Sequence, residues 1–165
     1  MHIRLQNILT ILFFGIVIIA AFSLVKPTLS YIEFFRAIER LDLSVNKFEP
    51  RIEGEEIVID LTLILSNNAQ YALEIHRVSF AISFKENEGY IRIAYPMYEF
   101  SGPPYKNLEP YSSVIIGPIK LKAENPGISP GQTVTWMITG EVLIDTFLGM
   151  MLLPLHPLTF NSSVT

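Results

Sequence analysis

Three histidines, His2, His76 and His156, are the residues of this chain best suited to proton transfer or metal ligation. No two of them stand three or four apart, the spacing that would put paired imidazoles on one helix face. His76 sits in a strand-like segment and His156 among prolines near the C-terminus. The two could meet in space with a carboxylate such as Glu74, but a surface or half-buried imidazole is the simpler reading of each. Glu53, Glu55 and Glu56 gather around Gly54 on an expected hairpin turn. They could hold a divalent cation, yet Arg51-Ile-Glu-Gly-Glu-Glu56 lacks the tightly ordered alternating oxygens of a calcium loop, so a solvated turn is favoured.

The remaining chemistry is quickly bounded. There are no cysteines, which removes thiolate metal sites, iron–sulfur clusters, cysteine nucleophiles and disulfides together. No serine stands in a G-x-S-x-G elbow, and glycine-rich phosphate loops are absent; Ser101-Gly-Pro-Pro-Tyr-Lys106 reads as a turn-rich loop. Catalytic, cofactor-binding and metal residues are therefore all expected to be none, and the chain is expected not to be an enzyme.

Binding is the better prospect. Tyr90, Tyr95, Tyr98, Phe100, Tyr105 and Tyr111 cluster in a stretch with few charges, the composition of interface cores and of membrane–water boundaries. Tyr95, Tyr98, Phe100, Tyr105 and Tyr111 are the candidate interface residues, with Met150-Met151-Leu-Leu-Pro-Leu155 as a second apolar stretch. The competing reading for both is the hydrophobic core, to which aromatics contribute heavily.

The elements that would carry such a surface begin in a membrane. Hydrophobic residues make up 50% of the 165 and mean hydropathy is +0.38, but the bias is concentrated. Ile8 to Val25 holds 18 uncharged residues, 13 of them Leu, Ile, Val or Phe, with Ile8, Phe14, Ile18 and Val25 along its length. At ~1.5 Å per residue it spans about 27 Å, close to the hydrocarbon thickness of a bilayer. Arg4 and Lys26 bracket it as interfacial anchors. Ala21-Phe22-Ser23 offers the small residues of a signal-peptidase site, but the apolar run exceeds the ~7–15 residues of a cleaved signal, which favours a retained signal anchor. Lys26, Arg36 and Arg40 nearly balance the positive charge on the N-terminal side. The short leading tail favours an N-terminus inside and a C-terminal domain outside. Asn161-Ser162-Ser163 is then a possible glycosylation acceptor.

Of the 12 basic residues two precede residue 27, leaving ten against all 16 acidic ones. Without Lys/Arg clusters to displace counterions, nucleic acid is excluded as a partner.

Pro27 is expected to break or kink the helix. Leu29, Ile32, Phe35, Ile38 and Leu41 then recur every third residue, with Glu33, Arg36, Glu39 and Arg40 on other faces, predicting an amphipathic stalk over 27–40. From Leu41 the period becomes two. Leu41, Leu43 and Val45 alternate with polar residues, and Ile57, Ile59, Leu61, Leu63 and Leu65 share one face, followed by the turn Ser66–Gln70. Over Leu73–Phe84 the apolar face changes parity near His76–Val78, which predicts a bulge. Further strands are expected at Tyr90–Ala94, Ser112–Lys122, Thr133–Asp145 and Met150–Phe160, separated by turns at 86–89, 101–104, 107–111 and 125–131. Some seven short strands predict an all-β antiparallel sandwich of immunoglobulin or fibronectin type. The parts are a tail at 1–7, a transmembrane helix at 8–26, a stalk at 27–40 and a sandwich at 41–165.

The order of features from Leu41 onward resembles the late-embryogenesis-abundant group 2 and water-stress/hypersensitive-response (WHy) domain family. The strand Ile57–Leu65 runs into Ser66-Asn67-Asn68-Ala69 where the family has Asn-Pro-Asn, with Asn68 in place of the proline. Leu73–Ser83 is similar to the strand that follows, Pro110-Tyr-Ser-Ser-Val-Ile-Ile to a mid-domain strand, and Gly140–Gly149 with Leu153-Pro154 to the closing segment. The resemblance implies a sandwich often tethered to membranes, linked with stress protection or lipid association, and without catalytic residues.

These readings together make the bilayer the first expected partner and a single-pass cell-membrane location the expected one. The leading expectation is non-enzymatic binding or structural support at the outer surface of the membrane. The alternatives are a small accessory subunit of an integral-membrane respiratory or transport complex, and a surface-filament subunit. Gly15, Ala20, Ala21 and Ser23 would let other membrane helices approach closely.

Overall fold

The computed structural model describes residues 2–100, 106–146 and 149–165, with side chains described from Ile8 onward. The chain divides into two compact units, Met1–Arg36 and Ala37–Thr165.

The first unit is formed by helix α1, His2–Glu39. Ile8–Glu39 is long and apolar enough to cross a membrane. Pro27 lies inside the helix, so the break allowed for at this position does not occur. A proline inside a helix removes its own N–H from the ladder and crowds the carbonyl four residues before it, here that of Ser23. Nearby hydroxyls join the backbone pattern, Ser23 Oγ donating to the Ile19 carbonyl at 2.8 Å and Thr28 Oγ1 to that of Leu24 at 2.7 Å. Leu29, Tyr31, Ile32 and Phe35 are exposed, while Leu41, placed by its spacing on the same helical row, opens the first strand instead.

Among the described residues the second unit holds ten strands. β1 (Leu41–Glu53), β2 (Glu56–Asn67) and β7 (Ser112–Glu124) form a three-stranded sheet in the order β1-β2-β7. β3 (Leu73–Glu86) and β8 (Thr133–Thr146) lie side by side at the centre of the larger sheet. The free edge of β3 is covered in succession by β4 (Gly89–Ala94), β5 (Met97–Glu99) and β6 (Lys106–Leu108). That of β8 is covered by β9 (Gly149–Pro154) and β10 (Leu158–Ser163). Every pairing is antiparallel. Three positions face four, the division of an immunoglobulin-type sandwich, but both outer positions of the larger sheet are broken into short pieces.

Alternation explains why the sheets stack. Leu61, Leu63 and Leu65 of β2, Val78, Phe80 and Ile82 of β3, and Trp136, Ile138, Val142 and Ile144 of β8 are buried within a single core. Burying each such side chain is worth ~1.5–3 kcal/mol. Trp136 is fully buried between Phe48, at 5.0 Å between ring centres, and Phe84, at 6.4 Å. The C-terminus ties the sheets together: Ile52 N–H donates to the Thr165 carbonyl at 2.8 Å and Thr165 N–H to that of Pro50 at 3.1 Å.

The all-β sandwich and the bulge in β3 are as expected, the pairing slipping between Ile75 and Arg77 so that His76 is the extra residue. Among the described residues ten strands stand in place of the expected seven or so. β5 and β6 are too short to show a period. Met150–Phe160 is two strands, because Leu155-His156-Pro157 interrupts it and a proline cannot donate to a ladder. The expected turn at 101–104 lies outside the described residues.

Candidate binding face

The two outward faces of the sandwich differ in kind. On the small sheet Arg51 pairs with Glu53 at 2.7 Å and with Asp60, Lys47 with Glu49 at 2.9 Å, and Lys122 with Glu56 at 3.1 Å. The Arg51 guanidinium, by hydrogen bonding, holds the Asp60 and Glu53 carboxyls below their ordinary values. Glu53 and Glu56 are thus charge-paired, and Glu53, Glu55 and Glu56 of this turn are all exposed. Gly54, with φ +69°, makes its tight return possible.

The large sheet presents something else. Register places Ser79, Ala81 and Ser83 on its outward face, and all three are buried although no second layer is needed to cover side chains so small. They form the floor of a groove. Arg92, Tyr95 and Met97 rise along one wall and Met137, Thr139 and Glu141 along the other. Tyr95 Oη donates to Glu141 Oε1 at 2.6 Å, and the Arg92 guanidinium lies 5.7 Å from the Tyr95 ring centre. The hydrogen bond to Glu141, then burial, pushes the Tyr95 hydroxyl above its ordinary value. A depression of about 340 Å³ at this crossing is lined by Ala81, Arg92, Tyr95, Thr139, Glu141 and Pro154. A second, of about 240 Å³, is lined by His76, Arg77, Glu99, Phe100, Leu143 and Met150. Around them Met97 is 52% exposed, Met150 67% and Leu152 47%, apolar side chains set between Arg77, Arg92, Glu99 and Glu141.

No family model matches the chain, and no curated protein does. Among solved structures it is similar to a late embryogenesis abundant protein, at 11% identity and TM-score 0.48 over 89% of this chain and 83% of that one. It is also similar to a protein from Archaeoglobus fulgidus, at 10% identity and TM-score 0.42 over 74% and 98%. A protein named ApaA from Bordetella pertussis follows, at 15% identity and TM-score 0.38 over 73% and 93%. At these scores the likenesses assign the chain to no family.

The structure spreads the aromatic candidates over separate places. Tyr95 stands on the groove wall, half exposed. Tyr98 pairs in register with the inward Val78 and its ring meets Phe100 edge-on at 5.3 Å. Tyr111, 64% exposed with φ +52°, caps the turn before β7 in the other sheet. Tyr105 lies outside the described residues. Asn161 is on the exposed side of β10, where its Oδ1 accepts from Thr135 Oγ1 at 2.7 Å. Ile8, Phe14, Ile18 and Val25 are exposed along α1. His76 is gathered with Glu74 and Asp145, each offering a ligand atom within 4.8 Å of the others, and His156 is not part of that group.

Sequence reading missed Met97, Met137 and Leu143 as surface residues, whereas Met150 and Leu152 belong to the apolar stretch it singled out. The outward parity of Met137 and Leu143 in β8 was the available signal, but which face meets solvent depends on pairing with β3, which no local pattern records. It also missed Asn67 as more than a turn residue. The side chain is fully buried and its Nδ2 donates to the carbonyls of Tyr71, Leu108 and Glu109.

Proposed function

We propose that the chain is a single-span membrane protein whose sandwich works by binding, without catalysis, at the outer surface of the membrane. One observation carries the reading: the most apolar stretch of α1 has mean hydropathy 2.9 and none of it is buried within the protein. Leaving such a surface in water is unfavourable by ~25 cal/mol per Å², whereas a bilayer removes the whole cost. The groove on the large sheet, with Tyr95, Met97, Met150 and Leu152 around it, is the binding face this reading favours, and a stress-protective role accords with the sequence resemblance.

The absence of native cysteines makes the test direct. Ser163→Cys, at the exposed end of β10, is expected to react with a membrane-impermeant maleimide on intact cells while the chain resists alkaline carbonate extraction. Carbonate release, or a mature chain beginning after Ser23, would remove the anchor.

The accessory-subunit reading has its own support. Leu29, Tyr31, Ile32 and Phe35 are exposed on α1 beyond the uncharged run, where neighbouring membrane subunits could cover them. Native mass measurement after mild detergent extraction separates the two: a free monomer supports the independent binder, and stoichiometric larger partners the subunit. Edge-to-edge filament growth is disfavoured at β7, where exposed Pro118, Lys120 and Lys122 guard the free edge.

A further inference from the structure

The geometry points to a divalent transition-metal site on the outer face of the large sheet, formed by Glu74, His76 and Asp145. Glu74 and Asp145 are direct cross-strand partners in the β3–β8 register. Two carboxylates placed opposite each other repel, and a sheet carries such a pair at a cost unless something positive lies between them. Among the described residues no lysine or arginine is ion-paired with either carboxylate. The ion pairs found involve Lys47, Arg51 and Lys122, all on the small sheet. Arg77, adjacent in sequence to His76, pairs with neither carboxylate.

What the strands supply instead is an imidazole. His76 is the extra residue of the β3 bulge, and bulges re-aim side chains beside functional sites. One ligand atom from each of the three residues lies within 4.8 Å of the other two. Ligands at ~2.0–2.1 Å from a tetrahedral zinc ion stand about 3.3 Å apart, a contraction that exposed carboxylate side chains make by small rotations. Asp145 is partly set for it: its Oδ1 accepts the Thr146 N–H at 2.9 Å, which restrains the carboxylate.

The donor set selects the metal class. One imidazole nitrogen with two carboxylate oxygens suits zinc or manganese, whereas calcium seeks six to eight oxygens. Three protein ligands leave positions open, and they open beside the 240 Å³ depression that shares His76 as a wall. A metal here would clip β3 to β8 and offer the binding face a point of attachment for an anionic group. The inference does not depend on the membrane reading, since binding is measured on the chain itself.

The test is zinc titration of the full-length, untagged chain in detergent, followed by calorimetry and thermal melting. One zinc per chain is expected, with a rise in melting temperature of at least about 4 °C at hundredfold excess over Kd. His76→Gln and Asp145→Asn should each weaken zinc binding at least tenfold, and His156→Gln should leave it unchanged. Asp145→Asn carries a second signature: by ending the repulsion with Glu74 it should raise the metal-free melting temperature while abolishing the zinc response. No saturable zinc stabilisation, or a response that survives His76→Gln, overturns the site. So does calcium acting as well as zinc, which would mean only a counter-ion over two carboxylates.

Discussion

Tyr95 reaches over strand β3 to Glu141 on the far side, its hydroxyl donating across 2.6 Å to the carboxylate while Ala81 lies in the floor beneath. The contact closes the groove at its middle, and it depends on the two strands beside β3 keeping their places. The hydrogen bond holds the proton on the phenol, so this tyrosine titrates above the ordinary value of about 10. A raised folded value means a contribution fully present below the ordinary value and lost as pH rises through the folded one. The ultraviolet phenolate difference between the native chain and Tyr95→Phe should therefore appear late in an alkaline titration. Glu141→Gln should bring it back toward the ordinary range. An early-titrating Tyr95 would mean the bridge is not made in solution.

Asn67 closes the end of β2 by a denser arrangement. Its amide nitrogen lies 2.7 Å from the Tyr71 carbonyl and 3.2 Å from those of Leu108 and Glu109, and its Oδ1 accepts the Ala69 N–H at 3.1 Å. Two amide hydrogens thus serve three carbonyls belonging to two crossings between the sheets. Asn67→Ala would remove all of these bonds at once, the fully buried one to the Leu108 carbonyl included, at a cost of about 2–4 kcal/mol. Asn67→Asp keeps the shape but removes the donors and sets a carboxylate among carbonyl oxygens, so it should destabilise at least as much. Trp136, the chain's one tryptophan and fully buried, reports unfolding through its fluorescence. Equal midpoints for the native chain and Asn67→Asp would refute the assignment.

How far the sequence reveals these features depends on range. The helix, the two-residue period of β2 and the bulge at His76 are written in neighbouring residues; the last two are found where the pattern places them, and the helix continues through Pro27 where a break or kink was expected. The sandwich follows because alternating strands must stack their apolar faces. The groove is different. Ser79, Ala81 and Ser83 look like any polar row until β4, β5 and β8 take positions around them, and Glu74 and Asp145 stand 71 positions apart until register joins them. The three-residue strands β5 and β6 exist only because β3 offers them an edge.

On the small sheet the charges give a dependence on acid. Hydrogen bonding to Arg51 lowers the Asp60 and Glu53 carboxyls below their ordinary values. Groups depressed in the folded state stabilise it above the unfolded value, and that contribution is lost as pH falls through the folded one. Arg51→Met should therefore lower the melting temperature by a constant amount above about pH 5, with the gap to the native chain narrowing below about pH 4. High salt should narrow it at every pH, because these groups lie within reach of solvent. A gap that widens in acid would mean that Arg51 acts through packing alone.

Gly117 is the position where the backbone leaves least freedom. It bulges from β7 opposite the slip in pairing between Leu61 and Leu63, with φ +124°. A β-carbon there would lie 2.9 Å from the Leu61 carbonyl oxygen and 3.2 Å from the Ile119 nitrogen, both main-chain atoms unable to swing aside. Gly117→Ala thus meets two penalties, a conformation that L-residues rarely adopt, costing of order 1–3 kcal/mol, and a clash within the sheet. Gly127 isolates the first of these: it has φ +98°, but nothing lies within 4 Å of where its β-carbon would stand. Gly127→Ala should cost only the conformational part, and Gly117→Ala distinctly more, as measured by denaturant midpoints from Trp136 fluorescence. Equal losses would show that β7 can yield at this point and that the close approach to β2 is not a constraint on the fold.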